Sequence, residues 1–394
     1  MKARQNLNLT TAVFFILLTT ACKKEMSSSP SNGQVKPPST VTRHITHDGS
    51  ASSDVSYTLG DKSYLFNPAA PFFQFAYGDI MGIRSKLFII SQYTNSQIDD
   101  FLKGRLMIAE SEDDGKTWIN FRDINANFPG SINLSAPSFL KISDNHVMIF
   151  YLVKYSTKRI DLYMQESLDG CSTWSTPSLI LGSSLGYQMI NNARVELIGD
   201  RIVIPVSIPQ SGDIYKYSIS NNELKVFYYY SDDLGKSWNR SKTISSDVSL
   251  LEPGMVMFSE REWLMNIRTD IGKIMFFRSR DAGVNWVSEE CDIISPSSPQ
   301  TLLFDQEKNI TLMVWNNTNK NFNVHGFNRS PLRLALSIDV GYSWKTVCDI
   351  ENTTEMFDHA YAAVRKINGK YYVVYNEKNN ITNVFKVKIC NIEF

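Results

Sequence analysis

The sequence predicts an all-β chain closed into a six-bladed β-propeller, and three observations carry that expectation. Aromatic residues make up 12% of the 394 positions, with 18 Tyr and 22 Phe, a composition that favours strands over helices. One eight-residue turn recurs five times along the chain. Its spacing leaves room for about six units of four short strands each, which is the pattern of a radial repeat. Length alone would suggest two or three domains; a closed ring makes one. Charge excludes a function class early. Forty Lys+Arg balance forty Asp+Glu with no block of either sign, so the chain lacks the basic footprint of a nucleic-acid binder.

The first residues read as an address rather than as fold. Lys2 and Arg4, the apolar run Ala12–Leu18 and the small residues Thr19-Thr20-Ala21 before Cys22 form a secretory signal over residues 1–21. The run is too short to span a bilayer. A cysteine directly after small residues resembles the bacterial lipoprotein box, which implies lipid on Cys22 and anchoring to the cell envelope; the alternative is a plain secreted chain with an incidental cysteine. Residues 22–50, rich in Ser, Pro, Lys and Thr, are expected to form a flexible tether, and 51–394 the propeller. Cys171, Cys291, Cys348 and Cys390 fit no zinc or redox spacing. Their even count permits two disulfides, and they are expected to be structural or free thiols.

The repeated turn is SEDDGKTW (Ser111–Trp118), SLDGCSTW (Ser167–Trp174), SDDLGKSW (Ser231–Trp238), SRDAGVNW (Ser279–Trp286) and SIDVGYSW (Ser337–Trp344). In such a turn the Asp carboxylate accepts backbone N–H groups, Gly takes the φ > 0 position and Trp packs into the next layer. The second copy departs from the pattern, with Gly170 one place early and Cys171 in the usual Gly position. Because each copy sits in a separate repeat, these aspartates hold turns rather than a metal. The sixth unit lacks the turn. It is expected to consist of C-terminal strands near 362–367, 371–375 and 384–389, completed by an N-terminal strand near 55–59, so that ring closure removes exposed edges.

Antiparallel connectivity sorts the remaining candidates. Turns between strands 1 and 2 and between strands 3 and 4 share the side that the repeated Asp marks. Functional side chains are therefore expected at the other end of the channel, before strand 1, after strand 2 or in the 2–3 loop. In blade one that loop carries Asp99 and Asp100. In blade three Arg194 enters the first strand. In blade four Glu252 precedes strand 1 and Arg268 follows strand 2, an arrangement that also suits a simple ion pair. In blade five Arg329 ends the 2–3 loop. In blade six Tyr361 enters strand 1, and strand 2 delivers Glu377 beside it. Arginines, a tyrosine and carboxylates converging from different blades suit an anionic ligand. His359, two residues from Tyr361, is close enough to line the pocket, but a lone histidine is more often structural, and that role is the one expected. No glycine-rich nucleotide loop, His/Cys metal cluster or Ser-His-Asp arrangement stands out, so neither metal nor cofactor is expected.

The repeated turns and this order of rim residues resemble the sialidase (neuraminidase) superfamily, whose repeated turn is the Asp-box or BNR repeat, from about Tyr57 to the C-terminus. The segment LEPGMVMFSEREWLMNIR is similar to the blade that carries the glutamate assisting the nucleophile and an arginine of the carboxylate-binding triad, which implies those roles for Glu252 and Arg268. Likewise the resemblance implies a second triad arginine at Arg329, the tyrosine nucleophile at Tyr361, an arginine-orienting glutamate at Glu377 and the acid/base at Asp99 or Asp100. A neutral tyrosine suits a sugar whose anomeric carbon bears a carboxylate, because a carboxylate nucleophile would be repelled. The first family arginine is missing from Phe73–Asp79, and Arg84 falls in the 1–2 turn on the far side, so Arg194 is the expected replacement. The implied function is an exo-acting glycoside hydrolase that releases sialic acid or a related acidic sugar with retention, as a monomer with a glycan or oligosaccharide partner. The alternatives are a propeller glycosidase or lyase for another acidic or modified sugar, and a non-catalytic glycan-binding lipoprotein.

Overall fold

Six sheets follow one another along the chain, each built on antiparallel strands that lie side by side in sequence order, with N-terminal strands added at the outer edges of two of them. The computed structural model describes residues 44–51, 55–124, 126–181, 186–214, 224–318, 329–352 and 354–394; the expected signal peptide, Cys22 and most of the tether lie outside them. The first strands of the six blades are Gln74–Ile83, Asn133–Lys141, Glu196–Ile198, Leu251–Met257, Thr301–Asp305 and Phe357–Ile367. They contact one another around the centre of the ring, so the six-bladed β-propeller read from the sequence is the observed fold.

Closure works as expected, with one addition. Blade six takes its outer position from Thr58–Leu59, antiparallel to Phe385–Glu393, with Thr58 opposite Glu393 and Leu59 opposite Ile392. A further strand, Thr46–Ala51, runs parallel to the outermost strand of blade five, Ser343–Glu351. Ile45 beside it is fully buried and bridges to Cys291. The expected tether boundary at residue 50 is corrected accordingly: an apolar side chain with a pocket to fill joins the chain to the sheets from residue 45, and the added strand covers an edge.

Apolar packing lies in six clusters, one between each pair of neighbouring blades. The tryptophan of each repeated turn enters the gap between its own blade and the preceding one. Trp118 packs with Tyr372 and Val374 of blade six, and Trp344 with Val256 and Leu264 of blade four. In every copy the Asp accepts the backbone N–H of the residue four places on, at 2.8–2.9 Å. Each Ser hydroxyl in turn accepts the N–H of its own fourth successor at 2.7–2.9 Å. Copy two keeps this geometry because Gly170 and Cys171 share the left-handed pair of positions, with φ of 69° and 71°. All four described cysteines are free and buried, which removes the disulfide option. Burial pushes the Cys171, Cys291 and Cys390 thiols up to about 12, so they are poor nucleophiles.

Candidate functional site

On the channel end opposite the Asp turns, five of the six blades repeat one backbone irregularity. Tyr77, Ala136, Ala193, Glu252 and Tyr361 each have φ between 36° and 56°. Four of them sit where the pairing of first and second strands slips, between Ala76 and Asp79, Ser135 and Ser138, Leu251 and Gly254, and Ala360 and Ala363. A bulge re-aims the side chain it carries and frees a backbone group. For Tyr77 and Glu252 the freed N–H is taken by the preceding blade, through Asn376 Oδ1 at 2.8 Å and Ser207 Oγ at 3.1 Å. A left-handed conformation at a non-glycine residue costs on the order of 1–3 kcal/mol and tends to persist where the side chain has work to do. Glu252 and Tyr361, both singled out in the sequence, therefore stand at equivalent positions inside their first strands rather than before them.

The bulges surround a cavity of about 120 Å³ whose walls include Tyr77, Asp100, Lys154, Tyr187, Glu252 and Tyr361. Tyr361 is half-buried and meets the Tyr77 ring edge-on at 4.8 Å. Arg329 stands 5.1 Å from the centre of the Tyr361 ring and donates to Ser297 O at 3.1 Å. Arg268, 4% exposed, donates to Glu252 Oε2 at 2.6 Å and to Ser297 Oγ at 3.2 Å. Burial works to lower the Arg268 pKa, but the Glu252 carboxylate and the Tyr361 hydroxyl that it bonds outweigh this and raise it. Glu252 and Arg268 thus form the ion pair that their spacing allowed, and that pair abuts the tyrosine. Burial also raises the Tyr77 phenol well above its ordinary value, with Tyr361 and Asp100 adding to the effect.

Polar cross-braces close the channel around this cavity. Asn192 donates to Gly78 O at 2.7 Å and Tyr361 O at 3.2 Å, tying blades one and six to blade three. Arg365 grips Asp79 through two hydrogen bonds of 3.0 Å and reaches Glu196 at 3.3 Å. Arg84, with φ 53° in the first turn of blade one, bonds Asn145 away from the cavity, as its place in the sequence implied.

Three expectations are corrected. Arg194 is not a cavity arginine: its guanidinium, 3% exposed, donates to Thr301 Oγ1 at 2.9 Å and Gln300 O at 2.8 Å and so braces blade three to blade five. Burial brings its pKa down to about 10. Glu377 does not orient an arginine. Lys388 at 2.9 Å, His359 at 3.3 Å and Tyr64 at 3.1 Å are its partners; burial would raise its pKa, yet the bonds from His359 and Lys388 hold it down to about 2. Asp99 turns inward on its own loop, accepting the Phe101 N–H at 2.7 Å, whereas Asp100 lines the cavity. His359 is buried against Glu377, in line with a structural role. Its cluster with Glu351 and Glu377 has metal-like spacing, but the Lys388 ammonium already joins both carboxylates, at 2.6 and 2.9 Å.

Among the wall residues named, Tyr77, Lys154 and Tyr187 escaped the sequence reading. Tyr77 lies in Ala76-Tyr77-Gly78, which echoes Ala360-Tyr361-Ala362, and this parallel was the available signal. Lys154 ends the uninterrupted apolar run Val147–Val153. A lysine on an otherwise buried strand needs a partner or a purpose.

The BNR repeat-like domain family matches residues 131–375, well over half of the chain. No curated protein matches by sequence. Among solved structures, the chain is similar to Trypanosoma rangeli sialidase (TM-score 0.67, 14% identity), covering 86% of this chain and 59% of that one. It is also similar to the same sialidase in complex with 2,3-difluorosialic acid, a covalent intermediate (TM-score 0.65, 15% identity, 86% and 59% covered). A protein of unknown function from Dyadobacter fermentans DSM 18053 matches over 86% of this chain and 99% of its own length (TM-score 0.65, 16% identity). The chain therefore spans less than two thirds of the sialidase that it resembles, and at these identities the likeness establishes the fold. With its five turns, six blades and family match, the chain belongs to the BNR repeat-like domain family.

Proposed function

We propose that the protein is an exo-acting glycoside hydrolase that releases a terminal sialic acid or related acidic sugar, with Tyr361 as nucleophile. One observation carries this reading: Tyr361, Glu252 and Asp100, brought from three blades, line one cavity, with Arg268 and Arg329 against the tyrosine. In the first half-reaction the Tyr361 oxygen bonds to the anomeric carbon and passes its proton to Glu252. Asp100 protonates the departing glycosidic oxygen. In the second half Asp100 takes a proton from water, water displaces the tyrosyl oxygen, and Glu252 returns the proton to Tyr361. Two displacements give retention. Arg268 lies where negative charge develops on the tyrosyl oxygen, which supports its role in the transition state.

Turnover of a fluorogenic sialoside tests the reading. The wild type is expected to release fluorophore and the Tyr361→Phe variant to release none; glycan binding without product on any acidic glycoside would overturn it. A second reading, a different acidic or modified sugar as substrate, is favoured by Tyr77, which occupies the blade-one segment where the family arginine is missing. We also propose export and lipid attachment at Cys22. On that proposal a Cys22→Ala variant moves from the membrane fraction to the soluble one.

A further inference from the structure

The proposed substrate is an anion, and the three arginines expected to hold it are occupied elsewhere or stand outside the cavity wall. Arg194 braces blade five, Arg268 is paired with Glu252, and Arg329 lies against the Tyr361 ring. None of the three lines the cavity; Lys154 does.

Lys154 sits near the end of the second strand of blade two, Val147–Ser156, with its side chain 2% exposed. Its ammonium lies 4.7 Å from the centre of the Phe101 ring and 5.3 Å from that of Tyr187. Among the described residues its one polar partner is Asp100 Oδ1, at 3.2 Å, on a side chain that is itself 66% exposed. An ammonium offers three N–H donors. Burying one with a single carboxylate from a solvent-facing loop leaves much of its hydration unreplaced. Burial accordingly lowers the Lys154 pKa, against the attraction of Asp100. The ammonium and Asp100 share the cavity wall with Tyr361 and Glu252, so an anion bound there would meet a cation that, among the described residues, a single carboxylate holds.

We propose that Lys154 receives the anionic group of the bound sugar in place of the absent blade-one arginine, and that this group competes with Asp100 for the ammonium. The inference rests on the reading of the cavity as an acidic-sugar site. It has a mechanistic consequence: once the substrate anion engages Lys154, Asp100 is released to reach the glycosidic oxygen. Because a lysine is a point charge rather than a planar fork, the site selects for negative charge more than for bidentate geometry.

Calorimetric titration of the purified protein with N-acetylneuraminate and glucuronate, each beside its uncharged methyl ester, tests the proposal without requiring turnover. The wild type is expected to bind the acid of at least one pair about tenfold more tightly than its ester, as a charge-assisted contact implies. Lys154→Met is expected to erase that preference while leaving the ester unchanged, and Lys154→Arg to retain it. Asp100→Asn, which removes the competing carboxylate, is expected to tighten acid binding several-fold. If Lys154→Met fails to fold, the Asp100→Asn result decides the matter, and acid binding that is unchanged or weaker overturns the proposal. An acid preference that survives in folded Lys154→Met also overturns it while leaving the acidic-sugar reading intact. No acid preference in the wild type overturns both. Acid preference erased by Lys154→Met in a protein that turns over no acidic glycoside supports the anion site and sinks only the hydrolase.

Discussion

The two ends of the propeller are built on opposite plans. At one end, five turns repeat both backbone and side chains: the same Ser and Asp make the same bonds and the same Trp enters the gap between blades, even where Gly170 and Cys171 exchange the usual order. At the other, four first strands and the segment leading into a fifth repeat only the backbone, a left-handed residue, while the side chain varies as Tyr77, Ala136, Ala193, Glu252 and Tyr361. Constant side chains maintain the ring. A constant backbone carrying different side chains builds a site, because each bulge aims whatever residue it holds toward a shared centre. Function in a superfamily scaffold resides in such grafted positions rather than in the fold.

This contrast can be broken from either side. The largest effect is expected from Tyr361→Phe, which removes one hydroxyl: kcat on an acidic glycoside should fall on the order of 10³-fold or more, with the melting temperature nearly unchanged. Comparable activity in the variant would take the bulge out of the chemistry. Trp344→Ala, at the other end, empties a site that is 1% exposed and should cost about 3–5 kcal/mol in urea unfolding. Its remaining folded fraction should keep wild-type kcat; a stable protein with damaged kcat would reverse the assignment of the two ends. Tyr77→Ala removes the edge-on contact to Tyr361 and should lower kcat/KM about tenfold.

The smallest effect is a pH dependence of stability. Hydrogen bonds from Thr173 and Ser167 hold the Asp169 carboxyl down to about 2, and those from Ser237 and Ser231 do the same for Asp233. These folded-state values lie below the ordinary aspartate value of 3.8. The stabilisation is therefore fully present above about pH 4 and is lost as pH falls through 2. Glu377, held near 2 against 4.5, extends the window upward. The urea midpoint should drop between pH 4.5 and 2, with a shallower slope in Asp169→Asn. A flat midpoint over that range would show that the turn carboxylates contribute little.

The sequence disclosed these regions unequally, for a physical reason. The Asp turns were legible because local hydrogen bonding fixes residue type at fixed spacing, and the blade count, rim side and closing strand near Thr58–Leu59 followed from them. Tyr361, Glu252, Arg268 and Arg329 were legible from position within a blade, since antiparallel connectivity dictates which end each reaches; for the blade-one loop it gave Asp99 and Asp100 without a choice between them. Arg194 and Glu377 reach the right end but are claimed by nearer partners, Thr301 and Gln300 in one case, Lys388 and His359 in the other. Side-chain competition across blades leaves no trace in linear spacing. Lys154 was hidden for the converse reason: its position in a buried strand looks structural until the cavity beside it is known. Strand Thr46–Ala51 was concealed by its polar composition, since an edge strand needs few apolar residues.

Trapping with 2,3-difluorosialic acid, followed by intact-mass measurement and peptide mapping, tests the nucleophile most directly. The expected result is one glycosyl adduct, mapped to Tyr361 and absent from Tyr361→Phe. Sialoside turnover by the wild type with no adduct, or with an adduct on any other side chain, would contradict the account.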